Sequence, residues 1–129
     1  MSSSRTTVVV DAANVVGSVP DGWWRDRLGA TKRLRDRISP DALRETLDLD
    51  VVPLVVLVTE GRARGVESSD PLVRVVDAPG SGDDAIVDLV EDLAAKGETA
   101  VVVTADRGLR ARVVELGACT VGTRTVRPG

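Results

Sequence analysis

Two runs of β-branched residues in this chain stop at an aspartate: Val8-Val9-Val10-Asp11 and Val101-Val102-Val103-Thr104-Ala105-Asp106. An unbroken valine run reads as a strand buried on both faces, which is the habit of a parallel sheet covered by helices. Packing gives such a run no reason to end in a carboxylate. In open α/β sheets, however, ligands bind beyond the carboxyl ends of the strands. Two strands that end in Asp therefore point to an acidic pocket at one sheet edge. Gly82-Asp83-Asp84 supplies a third acidic cluster between them in sequence.

The rest of the pattern alternates strands with helices. Strands are expected over 6–10, 52–58, 73–76, 99–103 and 118–121. Helices are expected over 23–38, opened by Asp21-Gly22, then over about 42–47 after Ser39-Pro40-Asp41, and over 106–116. A further helix follows Gly80-Ser81-Gly82 and ends at Gly97. Ser81 or Asp83 is its expected N-cap. Trp24, Leu28, Leu34 and Ile38 lie near one face of the first helix, so Trp24 is expected in the core and Trp23 nearer the surface. This order predicts an α/β protein, a three-layer α/β/α sandwich around a parallel sheet of about five strands. Residues 1–129 read as one domain, with flexible ends at 1–5 and 123–129.

If the first and fourth strands are neighbours, the crevice of the sheet opens between them, with Asp11 and Asp106 facing each other. Asp84, at the start of a helix entering the same edge, completes a triangle. Asp83 and Asp88 are secondary candidates, Asp88 because it follows Asp84 by one helical turn. Asn14 stands one turn of chain beyond Asp11.

Composition narrows the occupant of such a pocket. The chain has no histidine and one cysteine, Cys119. Zinc sites and Ser-His-Asp or Cys-His catalysis are therefore excluded. Neither a Walker lysine nor a Gly-x-Gly-x-x-Gly turn follows the first strand. Clustered carboxylates repel one another and call for a hard cation, Mg²⁺ or Mn²⁺. The formal net charge of −3 argues against gripping nucleic acid by bulk charge but leaves room for a local basic face. Arg62 and Arg64, in the loop after the second strand, and Arg107, beside Asp106, are the arginines best placed for one. Trp23 offers a surface on which a base could stack. A lone cysteine, a short polar N-terminus and the lack of an apolar span predict a cytoplasmic protein with no membrane association.

These motifs together resemble PIN-like nucleases of the NYN/YacP type. Asp11-Ala12-Ala13-Asn14 resembles their Asp-x-x-Asn signature. Gly82-Asp83-Asp84-Ala85-Ile86 is similar to the acidic start of their central helix, and Thr104-Ala105-Asp106-Arg107 to their Thr/Ser-x-Asp segment. The matches fall in the family's order across nearly the whole chain. Ser81 stands where NYN members often carry a basic residue. The resemblance implies strand order 3-2-1-4-5 and metal-dependent endoribonuclease activity that leaves 5′-phosphate and 3′-hydroxyl ends. It implies metal binding by Asp11, Asp84 and Asp106, with Asn14 positioning a ligand or water. An RNA substrate is the implied partner; a homo-oligomer is compatible with the sequence, and an antitoxin or other protein partner is unidentified. Two other activities fit the same residues. One is an RNA-binding or scaffold module with little catalysis, suggested by the acidic net charge and by Ser81. The other is a small-molecule phosphohydrolase, suggested by the lack of a broad basic groove.

Overall fold

The computed structural model describes residues 5–19, 22–68 and 70–126. Its centre is a five-stranded parallel sheet in the order β3-β2-β1-β4-β5. The strands are β1 (Thr7–Asp11), β2 (Leu54–Thr59), β3 (Val73–Asp77), β4 (Ala100–Val103) and β5 (Cys119–Val121). The helices are α1 (Ala12–Gly17), α2 (Arg27–Arg37), α3 (Pro40–Thr46), α4 (Gly82–Ala95) and α5 (Arg107–Glu115). The expected sandwich and strand order are both present.

The valine runs explain the layering. Alternate side chains of a strand point to opposite faces. Val8 and Val10 pack with Leu57, Val101 and Val103 against Ala12, Val15, Leu34 and Leu43 of α1–α3. Val9, Val56 and Val102 face the other way, against Ile86, Val90, Leu109 and Val113 of α4 and α5. With no Phe or Tyr in the chain, both layers of core are aliphatic. The β1–β4 ladder pairs Thr7 with Ala100 and runs to Val10 with Val103. The two strands therefore end level with each other, and Asp11 and Thr104 emerge side by side.

Three expectations are corrected. The segment after β1, to which the sequence pattern assigned no helix, is α1. Asp11 is its N-cap and its carboxylate accepts from Asn14 N–H. The expected helix over 23–38 is split. A 3-10 turn over Trp23–Arg25 precedes Asp26, whose backbone (φ −151°, ψ 75°) is not helical and which caps α2 instead. Asp26 Oδ1 accepts from Gly29 N–H at 2.9 Å. A Cβ at position 29 would overlap that carboxylate, so glycine is what allows the cap to form there. The break rotates the tryptophans: Trp24 is 58% exposed, whereas Trp23 is half-buried and packs on the core. Residues 123–126, expected to belong to a flexible end, form a 3-10 turn, and buried Val126 joins the α1–α3 core. Residues 1–4, 127–129 and Asp21 lie outside the described residues.

Candidate active site

The carboxyl ends of β1 and β4 carry the site. β1 continues through α1–α3 on one face and β4 through α5 on the other, so their connections diverge and leave a crevice between them. Three helix N-termini, those of α1, α4 and α5, point at this edge. Their partial positive charge favours carboxylates there.

Asp11 is the buried centre, only 5% exposed. Its Oδ2 accepts from Thr104 Oγ1 at 3.0 Å, and its Oδ1 from Asn14 N–H at 3.4 Å. Burial nevertheless raises its pKa from 3.8 to about 6. The Thr104 and Asn14 bonds work against that rise, while the charges of Asp83 and Glu60 add to it.

Asp106 caps α5, its Oδ1 accepting from Leu109 N–H at 2.9 Å, while its own N–H donates to Thr104 Oγ1 at 3.1 Å. Asn14 Oδ1 accepts from Ala105 N–H at 2.7 Å. Asn14 and Thr104 thus clamp the β1–α1 junction to the β4–α5 junction. Asn14 was expected to position a ligand or water; its carbonyl is committed to this clamp.

At the start of α4, Ser81 is the N-cap, accepting from the N–H groups of Asp83 and Asp84. Successive helical residues point about 100° apart. With the cap fixed at Ser81, Asp83 turns toward the acidic edge and Asp84 away from it. Burial, then the charges of Asp106 and Glu60, raise the pKa of Asp83, and Arg112 partly offsets them. Asp84 instead accepts from Arg112 Nη2 at 3.1 Å, with 70% of its side chain exposed. Asp88 is exposed and lines a separate depression with Asp84 and Asp92. The α4 acid at the edge is therefore Asp83, where Asp84 was expected, and Asp88 is not brought to it.

Sequence reasoning missed Glu60. Its Oε2 accepts from Gly82 N–H at 2.8 Å, and its charge acts on both Asp11 and Asp83. A Cβ at Gly82 would stand 3.2 Å from the Glu60 carboxyl carbon, so the two lie in close contact and a larger residue there would push the carboxylate back by a few tenths of an ångström. The signal was available: Val55-Val56-Leu57-Val58-Thr59-Glu60 is another β-branched run that ends in an acid.

Of the basic and aromatic candidates, Arg62 and Arg107 are exposed, the first on the 3-10 turn Gly61–Ala63 and the second at the first position of α5. Arg64 Nη2 donates to Pro79 O at 3.0 Å. Arg64 and Trp23 line one cavity together.

The donor set is all oxygen, as a hard cation requires. Among the described residues, no three acids converge closely enough to form a ready cage for a metal ion. The arrangement fits an ion of the Mg²⁺ kind, which takes one or two carboxylates and keeps much of its water.

A five-stranded parallel sheet in this order between two layers of helices, with carboxylates gathered where β1 and β4 end, defines an α/β sandwich with an acidic crevice. Among solved structures, the chain is similar to the crystal structure of Rae1 (YacP) from Bacillus subtilis. The TM-score is 0.70 and the identity 17%, over 92% of this chain and 70% of that one. A single-substitution mutant of the same Bacillus subtilis protein matches with a TM-score of 0.63 and 19% identity, over the same shares. No protein-family profile and no curated protein sequence matches the chain.

Proposed function

We propose that this protein is a ribonuclease that hydrolyses RNA phosphodiester bonds at the Asp11–Asp83–Asp106 edge with the help of Mg²⁺ or Mn²⁺. The observation that carries the reading is Asp11, a carboxylate kept at the sheet edge against the cost of its burial, to which the nearby charges of Asp83 and Glu60 add. Such an arrangement costs stability and is expected where a cation is to be received. The YacP-type fold and the three sequence motifs support the same reading.

When bound, the ion supplies charge neutralisation and Lewis acidity for phosphoryl transfer. The chain's own residues do the rest. Thr104 and Asn14 hold the Asp11 and Asp106 carboxylates in register. Asp11, Asp83 and Asp106 are the candidate ion ligands, one or two of them binding directly and the rest through the ion's own water, and Glu60 orients the α4 start through Gly82. Arg62 and Arg107 meet the phosphate backbone on either side. RNA in the cytoplasm is the proposed substrate.

Cleavage of single-stranded oligoribonucleotides, with Mg²⁺, Mn²⁺ or EDTA, tests this. Activity should depend on the ion and be lost in Asp11→Asn and Asp106→Asn that remain folded. Undiminished cleavage in both variants would reject the reading. The lack of a ready three-carboxylate cage among the described residues favours a second reading, an RNA-binding module with little turnover. It predicts oligonucleotide binding without ion-stimulated cleavage.

A further inference from the structure

Beside the acidic edge, a cavity of about 320 Å³ opens between α1, α2 and the loop after β2. That volume falls at the lower end of the range typical of small-molecule sites, about 300–1,000 Å³. Val16 of α1 and the half-buried indole of Trp23 give it an apolar wall. The Arg27 guanidinium lies over the Trp23 ring, 5.3 Å from its centroid. Arg64 lines the cavity too, tethered to Pro79 O. Glu60 belongs to this cavity and also acts on Asp11 and Asp83, so the cavity and the acidic edge share a wall.

The lining chemistry selects the occupant. A bare phosphate would use the two arginines and leave the indole idle. An aliphatic ligand would have to displace a guanidinium and face a carboxylate. A nucleotide unit uses every part: a flat base stacks on an indole or a guanidinium plane, and its phosphate meets the second arginine. We propose that this cavity is a base subsite that takes one unpaired nucleobase and so sets which phosphate reaches the acidic edge. That the base belongs to an RNA strand rests on the ribonuclease reading; the cavity and its chemistry do not.

The test uses the chain's two tryptophans. Trp24→Phe leaves Trp23 as the only indole, and Asp11→Asn with Asp106→Asn silences cleavage. Titration with a single-stranded oligoribonucleotide should quench Trp23 fluorescence to saturation. Arg64→Gln, or a fully abasic strand, should weaken that binding about tenfold, the scale of one lost stacking or cation contact. Binding of a labelled strand without any change in Trp23 emission would overturn the subsite, as would no binding at all, or an abasic strand bound as tightly as the normal one.

A ladder of strands, each abasic at one position, then separates the two proposals in the wild-type chain. Cleavage should fall at a fixed offset from the abasic position. Equal cleavage of all strands sinks the subsite and leaves the ribonuclease reading standing. Quenching without any cleavage sinks the ribonuclease reading and keeps the subsite.

Discussion

Thr104 Oγ1 donates a hydrogen bond to Asp11 Oδ2 across 3.0 Å, although 93 residues separate them in sequence. The same oxygen accepts from Asp106 N–H, and a hydroxyl has one proton, so its direction is set and Asp11 is held as an acceptor. Thr104→Val keeps the shape and removes the donor. It should raise the Asp11 pKa above about 6 and cost about 1–3 kcal/mol at pH 8, where the carboxylate is charged. Denaturant titration should show a smaller loss at pH 5, and Thr104→Ser should restore most of it.

The raised pKa of Asp11 makes stability depend on pH in a defined direction. Between the ordinary value of 3.8 and about 6, the folded chain binds the proton and the unfolded chain does not. Stability is therefore lost as pH rises through this window. Two pKa units correspond to about 3 kcal/mol, an order-of-magnitude figure for this buried group. Asp83 adds to the slope in the same direction. In ion-free buffer, Asp11→Asn should flatten the fall between pH 4 and pH 7 and melt higher than wild type at neutral pH. Mn²⁺ should raise the neutral-pH melting temperature of wild type more than that of the variant. An unchanged slope in Asp11→Asn would assign the pH dependence elsewhere.

Asp83 and Asp84 are adjacent but differ in what they touch. Asp83→Asn should lower cleavage on the order of 100-fold, the loss expected when charge at an ion site is removed. Asp84→Asn breaks an exposed pair with Arg112, worth about 0–1 kcal/mol, and should leave the cleavage rate within about threefold. Paired kcat measurements under saturating Mn²⁺ decide this, and the reverse ranking would restore Asp84 to the edge.

The tryptophans should differ in the same measurable way. Trp24→Ala removes a side chain that is 58% exposed and should shift stability by about 0.5 kcal/mol or less. Trp23 packs on the core formed by α1–α3, and Trp23→Ala should cost about 2 kcal/mol, below the figure for a fully buried tryptophan. Chemical denaturation of the two variants side by side checks the order.

Strand positions were legible because valine runs have a single good home, between two layers of helices. Asp11 and Asp106 were legible because each ends such a run. The choice between Asp83 and Asp84 was not, since it depends on whether Ser81 or Asp83 caps α4, and one residue of phase turns a side chain by about 100°. The fate of Trp23 and Trp24 hung on Asp26, whose cap outweighs the apolar spacing that runs through it. Helix α1 was hidden because its six residues are too few to show a period. Glu60 was as legible as Asp11, since it too closes a largely β-branched run.

The central place of β1 has a consequence for synthesis of the chain. Although first in sequence, β1 gains its second sheet neighbour only when β4, at Ala100–Val103, has been made. Thr104 and Asp106 come after that. A nascent chain that has just left the ribosome as far as α4 carries Asp11, Glu60 and Asp83 but lacks the partners that lock them. Any activity of this edge therefore waits until the chain past Asp106 has been made, and the order of strands acts as a timer on it.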